Sequence, residues 1–298
     1  MTMEQPSLPP PKLDLDPFTI FFLTDGLWRN DGGCMFGVVP RELWQRQHPA
    51  DERNRIRLNL TCPLIVKGKT AILVDTGIGN RLSAAEREIF DHGEGWLVDG
   101  LSSLGMEPGD VTHVLLSHLH FDHCGGVVRR NNNSGAMEPA FSKARYLVQQ
   151  GEFELARSTQ NPRLKAAYHH VAECLQPIEK QTETIRGDTE IVPGVTAILT
   201  GGHTADHQIA IVRGKRASFV HLADILPTRS HVKPAWNQSY DLDALRTMDQ
   251  KAYYLAEAAA KRWLISFAHD DQLFAARPSS QAGRIELEKV IEVKAPFA

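Results

Sequence analysis

The chain has 298 residues, of which 42% are hydrophobic and 23% charged, with a formal net charge of −3; this is an ordinary globular balance with enough length for a sizeable core. No long basic run marks a nucleic-acid or anionic-membrane partner, and no apolar run nears the roughly 20 residues of a spanning helix. The four cysteines, Cys34, Cys62, Cys124 and Cys174, form no CxxC pair, which argues against a disulfide framework or a cysteine-rich zinc finger and fits a reducing compartment.

In chain order, residues 1–16 are polar and Pro-rich and read as a flexible arm without the apolar stretch of an export signal, so a cytoplasmic location is expected. A single domain is expected over 17–298. PFTIFFLTDG predicts a strand. The Gly-rich stretch 31–47, with Met35, Phe36 and Trp44 looking exposed, predicts a covering loop or, alternatively, a contact between two copies in a homodimer. TCPLIVKGKTAILVDTG predicts a hairpin turning at Lys67-Gly68-Lys69. Ser83 and Glu86 have capping-box spacing, so a helix should start there; another over 97–105 should stop at Gly105.

VTHVLLS predicts a buried strand running into SHLHFDHCGG. ARYLV predicts a strand, followed by helices near 149–158 and 162–175. A second β-rich half spans about Ile185 to Ala223; then come a long helix in DALRTMDQKAYYLAEAAAKR, the strand WLISFA and a last helix near 279–291. The order predicts an α/β fold: a four-layer sandwich of two mixed sheets packed face to face with helices outside.

His118, His120, Asp122 and His123 crowd four metal-ligand types into six positions after an apolar strand. Alternate side chains of a turning loop share a side, so His118 and His120 can grip one ion while Asp122 and His123 face another. One loop cannot complete two coordination spheres. TAILTGGHT ends in His203, ASFVHLAD in Asp224 and WLISFAHD in His269, each where a predicted strand runs out.

In that order, HLHFDH, TGGHT, LAD and FAHD resemble the metallo-β-lactamase fold superfamily over nearly the whole chain. The resemblance implies that His118, His120 and His203 hold one metal, that Asp122, His123 and His269 hold a second, and that Asp224 bridges them. Asp75, in LVDTG, would orient a ligand from beneath. DGGCMFGVVPRELW, LVDTGIGN, TGGHTADH and LADILPT are further similar to the YtnP-like quorum-quenching N-acyl homoserine lactonases.

That likeness implies a lactone-opening hydrolase with two divalent ions, Zn²⁺ or else iron, manganese or cobalt. A metal-bridging hydroxide would attack the carbonyl, Asp224 would hold it and Asp122 would pass a proton to the leaving oxygen. Phosphotriesterase or other ester hydrolysis is the alternative, and a non-catalytic metal-binding module a third reading. Many acyl homoserine lactonases carry a tyrosine three residues after the bridging aspartate; here that residue is Pro227. Trp28, Met35, Phe36 and Trp236 are candidates to line an apolar substrate pocket. His113 and His221 read as core residues, His207 as a structural histidine, His169-His170 as a solvated face and Cys124 as a small buried residue.

Overall fold

The computed structural model describes residues 9–293 except positions 94, 132 and 169. One seven-stranded sheet has the order β1-β2-β3-β4-β5-β8-β9, built from β1 (Lys12–Asp14), β2 (Thr19–Asp31), β3 (Arg55–Lys67), β4 (Thr70–Val74), β5 (His113–Leu115), β8 (Arg145–Gln149) and β9 (Thr182–Ile185). Strands β6 (Val128–Arg130) and β7 (Met137–Pro139) form a separate small hairpin. The second sheet runs in sequence order through β10 (Thr189–Val192), β11 (Val195–Leu199), β12 (Gln208–Arg213), β13 (Ser218–His221), β14 (Leu264–Ser266), β15 (Leu273–Gln281) and β16 (Arg284–Glu292). Both sheets are mixed: β4, β5, β8 and β9 pair in parallel, as do β13 and β14, and the other pairs are antiparallel.

The sheets face each other across one apolar layer. Phe22 of β2 meets Phe219 of β13 and Phe274 of β15 at ring distances of 5.9 and 5.6 Å, with Ile65, Ile72 and Leu115 opposite Val195, Val212 and Leu264. Helices cover the outer faces. Nine are described: α1 (Gly32–Phe36), α2 (Arg41–Trp44), α3 (Ala84–Phe90), α4 (Leu97–Ser103), α5 (Phe121–Cys124), α6 (Gln150–Ser158), α7 (Pro162–Lys165), α8 (Val171–Ile178) and α9 (Ala244–Lys261). Helices α4 and α8 bury Leu97, Leu101, Cys174 and Leu175 against the first sheet, and α9 buries Tyr254, Leu255 and Ala258 against the second. The expected four-layer sandwich is the fold observed. Among the described residues, no helix is long and apolar enough to cross a membrane.

Local chemistry accounts for most boundaries. Lys67 pairs with Thr70 around Gly68, whose φ is +58°. Ser83 caps α3 with a complete capping box to Glu86. Gly105, at φ +69°, follows α4.

Four expectations fail, the first being the helix over 162–175, which is broken into α7 and α8. Of the supposed arm, positions 1–8 lie outside the described residues, but Lys12–Asp14 pair with β2 and Leu15 is buried in the layer between the sheets. The stretch 31–47 is two short helices, and Met35, Phe36 and Trp44 are buried rather than exposed, because Phe36 stacks on Trp44 at 5.4 Å. The last helix is a hairpin: Ala282 and Gly283 both have positive φ, the signature of a tight two-residue hairpin turn, and β15 pairs with β16 along its length.

Candidate metal centre

Four chain segments leave the sheets at one rim. The segment after β5 carries His118 and His120 and turns into α5 with His123; the segments after β11, β13 and β14 carry His203, Asp224 and His269. Gln208 ties the two sheets there, its backbone N–H donating to Ser117 O at 2.9 Å and its Nε2 to Leu116 O at 2.7 Å. Gly125 and Gly126 let α5 lie close over the 75–79 loop, since a Cβ would sit 2.1 Å from Ile78 O and 2.2 Å from Thr76 O respectively. Asp75 (φ +58°) and Ala223 (φ +44°), the residue immediately before Asp224, hold left-handed backbone without being glycine, a strain that concentrates at functional sites.

The seven expected ligands converge. His118, His120 and His203 offer ligand atoms within 4.8 Å of one another; so do His118, His123 and Asp224, and so do Asp122, His123 and His269, the imidazoles through nitrogen and the carboxylates through oxygen. Asp224 stands between the groups: Oδ1 is 3.1 Å from His269 Nε2 and 3.3 Å from His123 Nε2, and Oδ2 is 3.3 Å from His203 Nε2. Asp122 Oδ2 lies 3.5 Å from His269 Nε2.

The surrounding hydrogen bonds assign the tautomers. His123 Nδ1 donates to Asp75 Oδ2 at 2.9 Å, His203 Nδ1 to Asp241 Oδ1 at 2.8 Å and His269 Nδ1 to Asn59 O at 3.0 Å. Ser117 Oγ donates its proton to Asp75 Oδ2, so it accepts from His118 Nδ1 at 3.0 Å. Each of these four imidazoles therefore carries its proton on the outer nitrogen and turns a bare Nε2 inward. Bare nitrogens face one another at 3.2 Å between His123 and His269, while His118 Nε2 and Asp224 Oδ1 are buried with no hydrogen-bond partner.

Such a set of lone pairs is repulsive and unsatisfied unless a cation lies among them. The electrostatics agree. Burial pushes the Asp224 carboxyl up, but His269, His123 and His203 outweigh it and hold it well below the usual carboxylate range. Burial pulls the His123 and His203 imidazoles down, and the Asp224 carboxylate overrides it and raises both, so each would take a proton there unless another cation neutralised the carboxylate. His118 is held well below the imidazole range by burial and by neighbouring imidazoles, and remains a neutral donor. The residues fit divalent metal.

The supporting contacts reach further than the ligands. His207 Nδ1 bonds Thr200 Oγ1 at 2.8 Å and its Nε2 accepts from the Asp224 N–H at 3.3 Å, fixing the backbone of that aspartate. His221 is buried on Ser266 Oγ, and His113 is half-buried on Thr112 Oγ1. Cys124 is buried. Position 169 is not described, and His170, half-buried, begins α8 in a left-handed conformation. Sequence reasoning missed Ser117, Asn59, Asp241 and Gln238; Gln238 Nε2 donates to Asp224 Oδ2 at 3.0 Å.

Asp241→Asn is expected to weaken metal binding about 10- to 100-fold, because an amide in place of the carboxylate no longer enforces the His203 tautomer. Competition with a chromophoric zinc chelator would measure it; affinity equal to that of the unsubstituted protein would refute the tautomer argument.

A cavity of about 180 Å³ opens onto the cluster. Trp28, Met35, Phe90 and Phe121 supply apolar lining and Asn30, Arg163, Gln238 and Tyr240 polar lining, with Asp122, Asp224 and His269 also at its surface. Of the four expected pocket residues, Trp28 and Met35 line this space. Phe36 and Trp236 do not: they pack against each other at 5.4 Å in the cluster behind, where Phe36 is sandwiched between Trp44 and His231.

A model of the metallo-beta-lactamase superfamily matches residues 58–269. An N-acyl homoserine lactonase of Bacillus cereus is 30% identical over 182 residues, covering 57% of this chain and 64% of that relative, so the match spans less than two thirds of its length. A probable metal-dependent hydrolase from Staphylococcus aureus superposes with a TM-score of 0.85 at 29% identity, covering 93% of this chain and 99% of that one. AidC, a dizinc quorum-quenching lactonase in complex with the product N-hexanoyl-L-homoserine, superposes with a TM-score of 0.79 at 19% identity over 96% of this chain and 99% of its own, a likeness of fold.

Proposed function

Because the chain belongs to the metallo-beta-lactamase superfamily, we propose that it is a dinuclear metal-dependent hydrolase that opens a lactone ring, N-acyl homoserine lactones being its favoured substrates. The observation that carries the reading is the bare inward Nε2 atoms and the Asp224 carboxylate beside a cavity lined by both apolar and polar side chains. A lactone with an acyl chain offers both kinds of surface. The Bacillus cereus relative, named for that reaction, supports it.

His118, His120 and His203 would hold one ion, Asp122, His123 and His269 the other, and Asp224 would contact both. Zinc suits this donor set, which iron, manganese or cobalt can also occupy. Two such ions would polarise the substrate and make water acidic enough to attack near neutral pH.

The protein's own groups do the rest. Gln238 fixes the Asp224 carboxylate, and Asp75 and Asp241 keep the imidazoles in the metal-accepting tautomer. Trp28, Met35, Phe90 and Phe121 shed water from the cavity and bury the acyl chain. Asp122, partly open to the cavity, can take a proton on its carboxylate and pass it to the leaving ring oxygen.

The test follows acid release at constant pH by zinc-loaded protein given N-decanoyl homoserine lactone, with paraoxon as rival substrate and metal counted by atomic emission. Lactone turnover with two ions per chain is expected. Turnover of paraoxon alone would move the assignment to phosphotriester hydrolysis, and full metal without either reaction would leave a binding module.

A further inference from the structure

We infer that Glu152 is a positioning residue for the metal centre, its buried carboxyl group tying together the segments that present His118, His120 and His203; this rests on the two-ion reading of the site. Four of the five clustered imidazoles are oriented from behind by a hydrogen bond at the outer Nδ1, made to Asp75, Asp241, Ser117 Oγ and the Asn59 carbonyl. His120 is the exception. It turns Nδ1 rather than Nε2 toward the cluster, 3.1 Å from His203 Nε2, and among the described residues no hydrogen bond holds its outer nitrogen. Its orientation must come from the chain it stands on and the ring it packs against.

Glu152 controls both. It lies in the first turn of α6 and is 1% exposed. Its Oε1 accepts from the Leu119 N–H, between His118 and His120, at 2.9 Å and from the Tyr168 hydroxyl at 2.6 Å. The Tyr168 ring in turn meets the His120 ring edge-to-face at 5.1 Å. Burial raises the proton affinity of this carboxyl; the Tyr168 hydroxyl, the Leu119 N–H and the hydroxyl of Thr204, directly after His203, face it and offset part of the rise.

The helix is seated for this role. A Cβ on Gly151 would come within 2.2 Å of Asp206 Oδ2, so the glycine lets α6 press on the loop that carries His203. Gln149, just before the helix, bonds Gln208 Oε1 at 2.9 Å where that loop ends. Burying a carboxyl group is unfavourable unless hydrogen bonds offset it. Here the groups that do so belong to Leu119, Tyr168 and Thr204, each beside a donor to one and the same ion, and none of its hydrogen bonds reaches Asp122, His123 or His269. Loss of the carboxyl group should therefore act on one ion and spare the other, as removal of a group that orients a ligand does.

The test titrates metal-free wild type, Glu152→Leu and Glu152→Gln with Co²⁺, following the visible spectrum and measuring both affinities against a competing chelator. In Glu152→Leu one ion is expected to bind as in wild type and the other about 10- to 100-fold more weakly, the cobalt spectrum that remains matching that of His120→Ala. Glu152→Gln keeps an acceptor oxygen for Leu119 and Tyr168 and should restore most of the lost affinity. A purely structural role would lower the Tm of the metal-free protein and weaken both ions alike; that result, or two unchanged affinities, would overturn the assignment. Should Glu152→Leu fail to fold, Tyr168→Phe decides, because it keeps the ring against His120 but cuts its tie: the same ion must bind more weakly, and wild-type affinities refute the proposal. A wild type that binds fewer than two ions would sink the two-ion reading and this assignment with it, whereas a two-ion wild type matched by Glu152→Leu sinks the Glu152 role alone.

Discussion

Asp224→Ala is expected to lower lactone turnover by at least about 10³-fold, the scale of several kcal/mol that metal-assisted charge stabilisation supplies. Asp224 stands between the two ligand groups, with one oxygen toward His123 and His269 and the other toward His203. Removing it would take away the carboxylate placed to neutralise the two ions of the proposed centre and leave the imidazoles facing one another. The loss should therefore appear in metal content as well as in rate, with fewer than two zinc ions retained after gel filtration. Asp224→Asn, which keeps one acceptor oxygen but not the charge, should retain more metal than the alanine variant and still lose most activity. Two ions and near-native turnover in Asp224→Ala would mean that the seven converging residues do not form one reaction centre.

How far this centre was visible in the sequence depends on how local its parts are. His118 to His123 lie on one turn, and their spacing alone places four donors together. His203, Asp224 and His269 stand beyond strand ends, and the strands were legible from apolar runs, so the rim they share follows from the fold. Gln238, Tyr240 and Asp241 sit in a stretch with neither periodicity nor motif. What fixes that stretch is tertiary: Lys251, buried on α9, donates to Trp236 O at 2.7 Å and Asn237 Oδ1 at 2.6 Å, while Arg163 and Cys34 grip Ser239. No spacing rule connects residues so far apart.

The C-terminal hairpin was hidden for another reason. Leu287, Val290 and Ile291 have the i, i+3, i+4 spacing of a helix face. In the structure, register shifts around Ala275 let one strand serve two cores. Ile285 and Leu287 pack toward the α9 layer, and Val290 and Ile291 pack between the sheets. The Ala282-Gly283 turn was the better guide to that segment.

Asp270→Ala should destabilise the fold by about 3–5 kcal/mol, the usual consequence of stripping one partner from a buried ion pair. Asp270 is fully buried. Oδ1 takes Arg229 Nη1 at 2.7 Å together with the N–H groups of Gln272 and Leu273, and Oδ2 takes the Arg229 N–H at 2.7 Å. Alanine would strand three backbone donors and leave the guanidinium, only 18% exposed, to the weaker hold of Asp271 at 3.4 Å.

The damage would also reach the metal centre, because Asp270 follows His269, whose N–H is held by Pro227 O and whose carbonyl accepts from Asn59 N. Urea unfolding should show a lower midpoint at unchanged slope, and, in the proposed two-ion centre, the ion that Asp122, His123 and His269 would hold should be released more readily than the other. Asp270→Asn keeps an acceptor oxygen for some of these donors and should lose less. A shift under about 1 kcal/mol would place this aspartate among the exposed pairs that add little. The order of the two effects is informative. If metal is lost at urea concentrations where the sheets remain intact, the Arg229–Asp270 pair acts first as the anchor of His269 and only second as a brace of the fold.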